Sequence, residues 1–419
     1  MKNNKAINLL IAANIISGFA TGITMISIPW YFNQTLNDPH LFLNIFFIIT
    51  FICLFWGVFA GSIVDRFKRK NIFIYAAIIC SIIVLTASLI GYLNNKIHWL
   101  IVATVFGFTV FYYNIYYPNL YAFAQEITEK KYFGKINSYL EIQGQATSMI
   151  AGAIAAILLE GTHNKNIIFG SKKIYLGFDI NPWGLEKIFL IDGLTYIIAA
   201  IIISFVYYKK IKKINVEKGK LIKRLYSGFN FLIKNKKILI FGIFSYMIFA
   251  FLIIEMFTLL PEYIIKVLDG QASVFASQEV VYSIGAITSG LLVAKIFNNN
   301  KNAITGIIIF MFSTFIICMG MFFVPTIIML FITSFILGIT NAGTRILRIT
   351  YIFNHVPNNY IGRVNSIFNI ANVIIRLILI TIFINKFFTT DQNVIYAYFI
   401  CGIIILLSII PLLIYNYDS

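Results

Sequence analysis

The sequence predicts an all-α polytopic membrane protein whose twelve membrane-spanning helices form two six-helix halves. Three observations predict it. Of 419 residues, 59% are hydrophobic and only 12% are charged, whereas a soluble domain carries roughly a quarter charged residues. Apolar runs recur along the whole chain, and each is long enough to cross about 30 Å of hydrocarbon as a helix. Finally, the pattern Tyr132-Phe-Gly134-Lys135-Ile136-Asn137-Ser138 after the fourth run returns after the tenth as Tyr360-Ile-Gly362-Arg363-Val364-Asn365-Ser366.

Taken in order, the runs cover 7–32, 41–64, 72–93, 97–124, 134–159, 187–208, 237–265, 272–297, 303–323, 325–353, 361–385 and 392–416. Backbone in lipid must satisfy its own hydrogen bonds, so spans are helices or a closed barrel. Continuous runs exclude the alternating pattern of barrel strands. Lys2 and Lys5 ahead of an apolar stretch imitate a signal peptide, but the run from Ile7 is too long for one and is read as the first span. Two connections are long, the polar segment 160–186 and the basic segment 209–236.

Charge fixes the expected orientation. With the N-terminus inside, the inner connections hold 23 Lys and Arg and the outer ones hold 7, so the positive-inside rule puts both termini in the cytoplasm. The net charge of +17 is therefore a topology signal and implies no nucleic-acid partner. Cys53, Cys80, Cys318 and Cys401 lie in apolar runs without C-x-x-C spacing, and His40, His98, His163 and His355 lie far apart. No disulfide, metal or cofactor is expected. Nor is there a clustered His, paired Asp or Ser-His pattern of an intramembrane enzyme.

The basic segment divides the chain into an N-terminal bundle at 1–208, a cytoplasmic linker at 209–236 and a C-terminal bundle at 237–419. Leu221, Ile222, Leu225, Phe229 and Leu232 recur at helical spacing, which suits an amphipathic interfacial helix; a solvated basic linker is the alternative. The repeat supports two parallel halves. Four of the seven motif positions are identical at an offset of 228. At an offset of 229, Gly57–Lys70 (GVFAGSIVDRFKRK) falls on Ala286–Asn299, with Gly61 on Gly290, Val64 on Val293, Asp65 on Ala294 and Arg66 on Lys295.

These motifs resemble those of the major facilitator superfamily over essentially the full chain. Gly61-x-x-x-Asp65-Arg66-x-x-Arg69-Lys70 matches its loop between helices 2 and 3. Phe189-Leu-Ile-Asp192-Gly-Leu-Thr195-Tyr196 and Gly362-Arg363-Val364-Asn365-Ser366 are similar to the drug and siderophore exporter branch, which includes macrolide efflux proteins and the enterobactin exporter. The resemblance implies two six-helix repeats, a cavity lined by helices 1, 4, 7 and 10, and a latch at the inner end of helix 2. Gly57, Gly61, Asp65, Arg66 and Arg69 are its candidates. The two glycines would let a neighbouring helix approach, and Asp65 would face a helix N-terminus.

Ionisable residues inside spans are the further candidates. Glu255 and Glu262, seven apart with Pro261 between them, lie near one face of helix 7. Glu255 is the foremost candidate for proton coupling, or else it forms a structural ion pair with Arg376 in helix 11. Glu262 is expected to be solvated or gating, and Glu141 opens helix 5 near the inner face. Arg345 and Arg348, with Asn341 in the same helix 10, suit an anion-recognising patch. Alternatively, Arg348 snorkels to the cytoplasm and Arg345 bonds to a helix end. In helix 4, Tyr113, Tyr117 and Tyr121 form a stripe beside Asn114, with Tyr112 and Tyr116 next to them. That is either a wall for an amphiphilic solute or an aromatic packing seam. Glu126 and Glu129 at its end are expected to be solvated, and Asp192 to cap or pack. Helix 5 offers Gly144, Ala151, Gly152, Ala153, Ala155 and Ala156 for packing between the halves. Helices 1 and 4 lack the acid that many proton-driven relatives carry, so coupling would fall to the C-terminal half.

The expectation is a monomeric secondary transporter and not an enzyme. It would export a siderophore or drug-like amphiphile by alternating access and proton antiport across a bacterial inner membrane, in contact with membrane lipids. A lysophospholipid-type flippase or an importer of an organic anion is the alternative.

Overall fold

A computed structural model of the chain describes residues 3–129, 133–162, 166–169, 172–175, 177–208, 221–297, 300–357 and 360–417. They form two compact units, Met1–Asn37 with Phe55–Glu217, and Asp38–Leu54 with Lys218–Ser419. Eleven helical spans among them are long and apolar enough to cross a membrane.

In the first unit, α1 (Asn4–Trp30) continues into a π-helical turn, Tyr31–Thr35. It is followed by α2 (Pro39–Arg66), whose first part belongs to the second unit, α3 (Arg69–Asn94), α4 (Trp99–Ile127) and α5 (Phe133–Glu160). The outer segment adds a short antiparallel hairpin, β1 (Asn166–Phe169) with β2 (Lys172–Tyr175), before α6 (Leu185–Ser204). Helix α1 packs on α4, α5 and α6, while α3 packs on α4 and α6. A Cβ on Gly22 of α1 would lie 2.8 Å from Ala151 of α5, and Ala151 and Ala155 are fully buried. Ala151 therefore serves packing inside the unit.

The second unit opens with α7 (Leu221–Lys234), so the C-terminal part of the basic segment is a helix; residues 209–220 lie outside the described ones. Leu232 is buried with Ile238, Ile352, Val356, Val364 and Phe368, and Phe231 stacks on Tyr360 at 4.8 Å. The helix docks against the start of a later span, where Arg363 Nη1 donates to Ser227 Oγ at 2.9 Å.

The next span is not the single helix the apolar run predicts. It comprises α8 (Lys236–Phe244), α9 (Met247–Ile254), a π-helical turn at Glu255–Leu259 and α10 (Leu260–Lys266). Pro261 has no N–H to give to the carbonyl four residues back, and its ring crowds that carbonyl. The widened turn ends two residues before it. The span then leads to α11 (Ala272–Ile296), α12 (Asn300–Phe323), α13 (Ile327–His355), α14 (Ile361–Phe383), α15 (Lys386–Thr389), α16 (Val394–Leu407) and α17 (Ile409–Tyr417).

Helix α11 is the predicted eighth span, and it is the one missing from the strongly apolar set. Its interior carries Ser273, Ser277, Gln278, Glu279, Ser283 and Ser289, all buried. It crosses α13 backbone to backbone. A Cβ on Gly285 would lie 2.1 Å from the Phe335 carbonyl oxygen, and one on Gly338 would lie 2.1 Å from that of Tyr282. Backbone cannot yield as a flexible side chain can. Gly338→Ala is therefore expected to destabilise the unit by about 1–3 kcal/mol, the usual range for overpacking. A lowered melting temperature of the purified protein checks this, and an unchanged one would mean the crossing is looser than described.

Candidate functional site

Several ionisable residues of the second unit gather around the π-helical turn. Glu255, its first residue, is 3% exposed. Its Oε1 accepts a long hydrogen bond of 3.4 Å from Tyr398 Oη on α16. Glu279 of α11 faces it closely enough for the two charges to repel. Tyr282, one turn further along α11, accepts a 2.7 Å hydrogen bond from Asn341 Nδ2 on α13 and lies within electrostatic reach of Glu255, Glu279 and Arg345. Helices α11, α13 and α16 thus surround one carboxyl with tyrosines, an amide and a second acid. π-Helical turns recur at functional sites because the displaced carbonyl and wider bore re-aim side chains.

Arg376 is not the partner of Glu255: no ion pair joins them among the described residues, and the only hydrogen bond to the Glu255 carboxyl there comes from Tyr398. Arg376 lies within α14 with its Nε buried and lacking a hydrogen-bond partner, and the neutral thiol of Cys53 on α2 lies within electrostatic reach. Glu262 is 2% exposed, not solvated as expected. It pairs with Lys266 at 2.8 Å as a close charge contact without a directional hydrogen bond, and Lys266 also donates to the Thr389 carbonyl at 2.5 Å. Spacing of four residues puts acid and base on one helix face, which water-facing reasoning overlooked.

Arg348 does not snorkel. It is 6% exposed, donates from Nη1 to the Ser245 carbonyl at 3.0 Å, and stacks over Tyr246 with its guanidinium carbon 3.6 Å from the ring centroid. The α8–α9 break leaves that carbonyl without a helical partner, and Arg348 supplies one. The expected pair of anion-gripping arginines is therefore divided. Arg348 holds a helix end, a role expected of Arg345, while half-buried Arg345 faces Tyr282.

In the first unit the aromatic face of α4 splits in two. Tyr112 and Tyr116 are buried, the former 5.2 Å from Tyr196 and the latter 5.1 Å from Phe73, ring to ring. Tyr113 and Tyr121 are half-buried and Tyr117 is 49% exposed, with the 113 and 117 rings 5.4 Å apart. One stripe is a packing seam and the other is the more exposed of the two. Asn114 donates to the Val110 carbonyl on its own helix at 2.9 Å. A chain of amides and hydroxyls joins three helices below them: Tyr116 donates to Asn14, Asn14 donates to Gln143, and Gln143 donates to Thr147 at 2.9 Å.

The inner end of this unit shows what the basic loop holds. Arg69 donates to the Ala122 carbonyl and pairs with Glu126 at 3.4 Å, while Asn119 donates to the Arg69 carbonyl at 2.9 Å and Tyr208 Oη donates to Glu126 at 3.2 Å. Glu126 is 5% exposed, so the expectation that it is solvated fails, because a cation fifty-seven residues earlier covers it. Lys70 donates to the Ser204 and Val206 carbonyls at 2.7 and 3.0 Å, where a helix C-terminus favours a cation. Gly57 is exposed with no described atom within 4 Å of where a side chain would project, so no described helix approaches there. Gly61 lies in α2, and the side chains of Asp65, Arg66 and Glu141 lie outside what is described.

Sequence reasoning missed Glu279, Tyr282 and Tyr398, and undervalued Asp192, which is fully buried in α6 against Thr21 of α1. The signal for Glu279 was present: α11 carries polar residues at helical spacing through a span that is otherwise apolar. Among the described residues no group of three or more His, Cys, Asp and Glu could hold a metal ion.

Two helical units with repeated sequence motifs and ionisable side chains buried in their spans define a polytopic solute transporter. The chain belongs to the Major Facilitator Superfamily, whose family model matches residues 10–380. The structure is similar to that of the nucleoside transporter NupG, with a TM-score of 0.68 at 13% identity over 98% of this chain and 98% of that one. It is also similar to a bacterial homologue of the human lysosomal transporter Spinster, with a TM-score of 0.65 at 13% identity over 99% and 95%. A bacterial homologue of the iron transporter ferroportin gives 0.67 at 12% identity over 99% and 100%. At such identities the likeness concerns the fold alone. No curated protein matches the chain in sequence.

Proposed function

We propose that the protein is a proton-coupled exporter of an amphiphilic organic solute, a siderophore or drug-like compound, in a bacterial cytoplasmic membrane with both termini inside. The observation that carries the coupling is Glu255, a carboxyl buried at a π-helical turn with one long hydrogen bond and no cationic partner among the described residues. A carboxylate held there bears the desolvation cost of an unpaired ion, and a bound proton removes it. Alternating access then links proton uptake at Glu255 to cargo release. The more exposed tyrosine stripe of α4 supports an amphiphile, since tyrosine offers an apolar body with a polar tip.

Arg376 favours a second reading, in which the cargo is an organic anion or a lysophospholipid. A half-buried arginine with a buried, unpartnered Nε is suited to a carboxylate or phosphate. Everted membrane vesicles separate the readings. Acidifying the lumen should drive accumulation of a fluorescent siderophore or a labelled macrolide, whereas a flippase would instead move labelled lysophospholipid between leaflets of liposomes. Accumulation that ignores the pH gradient would remove proton antiport.

A further inference from the structure

The first unit contains a buried acid for which neither the latch nor the Glu255 reading has a use. Asp192, on the eighth position of α6, is 0% exposed. Its Oδ1 accepts a 2.9 Å hydrogen bond from Thr21 Oγ1 on α1, and the same hydroxyl lies 3.0 Å from Tyr196 Oη. Its Oδ2 is buried without a hydrogen-bond partner. Thr24, nearly one turn further along α1, brings its fully buried hydroxyl within hydrogen-bonding reach of the carboxyl, although the contact falls short of a well-aligned bond. A carboxyl thus stands in an apolar interior with only neutral hydroxyls beside it, and its ionised form bears the desolvation cost of burial unless something offsets the charge.

The groups around Asp192 define what that something is. Its neighbours are Thr21 and Thr24 on α1, Cys80 on α3, Tyr112 and Tyr113 on α4, and Tyr196 on α6. None carries a positive charge, and no ion pair involving Asp192 occurs among the described residues. We propose that Asp192 and Thr24 form a proton-binding site in the first unit, with the proton on Oδ2 donated to the Thr24 hydroxyl. A hydroxyl is both donor and acceptor. When the proton leaves to water, Thr24 turns its own hydrogen toward Oδ2, so one partner serves both states and only a proton is gained or lost. The site extends the Glu255 reading: each unit holds a buried carboxyl beside a tyrosine and without a cationic partner among the described residues, Asp192 with Tyr196 joined through Thr21 of α1, and Glu255 with Tyr398 across the π-helical turn and α16.

Infrared difference spectroscopy of the full-length protein in liposomes, recorded between alkaline and acidic buffer, reads carboxyl protonation without a cargo. The wild type should gain the carbonyl bands of two buried protonated acids on acidification. The Asp192 band should be absent in Asp192→Asn and retained in Glu255→Gln, which loses the other band, so failure at one acid is distinguishable from failure at the other. Thr24→Val keeps the acid and should shift the frequency of the Asp192 band by removing its hydrogen-bond acceptor; this variant decides the case if Asp192→Asn does not fold. A spectrum of Asp192→Asn identical to the wild type, an unshifted band in Thr24→Val, or loss of the band on adding sodium at constant pH would each overturn the proposal, the last by assigning the site to a metal cation.

Discussion

Glu255→Gln is expected to yield a folded protein that exchanges cargo across the membrane but no longer accumulates it against a gradient. Glutamine has the shape and hydrogen-bonding capacity of the neutral acid, so Tyr398 and the π-helical turn keep their partner. What is lost is the ability to release a proton. In everted vesicles, uptake by the wild type should rise as the lumen is acidified, because protons leaving the lumen exchange for cargo entering it. In the variant, uptake should be the same at every lumenal pH and should stop at equal concentrations on the two sides. Replacing a buried, uncompensated carboxylate also removes a destabilising charge, so the melting temperature should hold or increase. Tyr398→Phe is the companion change: it leaves the acid but removes its one hydrogen bond among the described residues, and should displace the pH at which uptake is half-maximal without abolishing the dependence. A Glu255→Gln protein that still concentrates cargo in response to lumenal acid would exclude this carboxyl from coupling.

The order and number of helices were legible because membrane spans are specified by local apolar runs, and α1–α6 and α12–α14 fall close to where those runs lie. What local reading could not see was pairing across distance. The break between α8 and α9 depends on Arg348, which reaches the Ser245 carbonyl from a helix 103 residues away in sequence. Glu126 reads as a solvated helix end in the sequence, and only the fold brings Arg69 over it. The proline in helix 7 gave notice of a distortion, but not that it would take the form of a π-helical turn beginning at the very acid singled out for coupling. The hairpin at 166–175 had a signal that went unread, Gly170-Ser171 between two β-prone runs. Asp192 shows a different limit. Sequence placed it correctly in helix 6, yet burial against two threonines, the feature that gives it chemistry, belongs to α1.

Arg376 makes opposite predictions for a structural and a recognition role. Were it one half of a buried ion pair, Arg376→Ala would strand its partner and cost about 3–5 kcal/mol. The structure provides no such partner among the described residues, and Nε is buried without a hydrogen bond. Arg376→Ala should therefore leave the melting temperature unchanged or raise it. Its effect should fall on cargo. A charge-assisted hydrogen bond contributes about 1.5–3 kcal/mol, so an anionic solute should lose on the order of ten- to a hundred-fold in apparent affinity. A neutral or cationic solute of similar size should lose little, and Arg376→Lys should restore part of the anion's affinity, since lysine keeps the charge but not the planar fork. Equal losses for anion and cation would mean that Arg376 shapes the unit rather than reads the cargo, and would leave the amphiphile reading without its anionic branch.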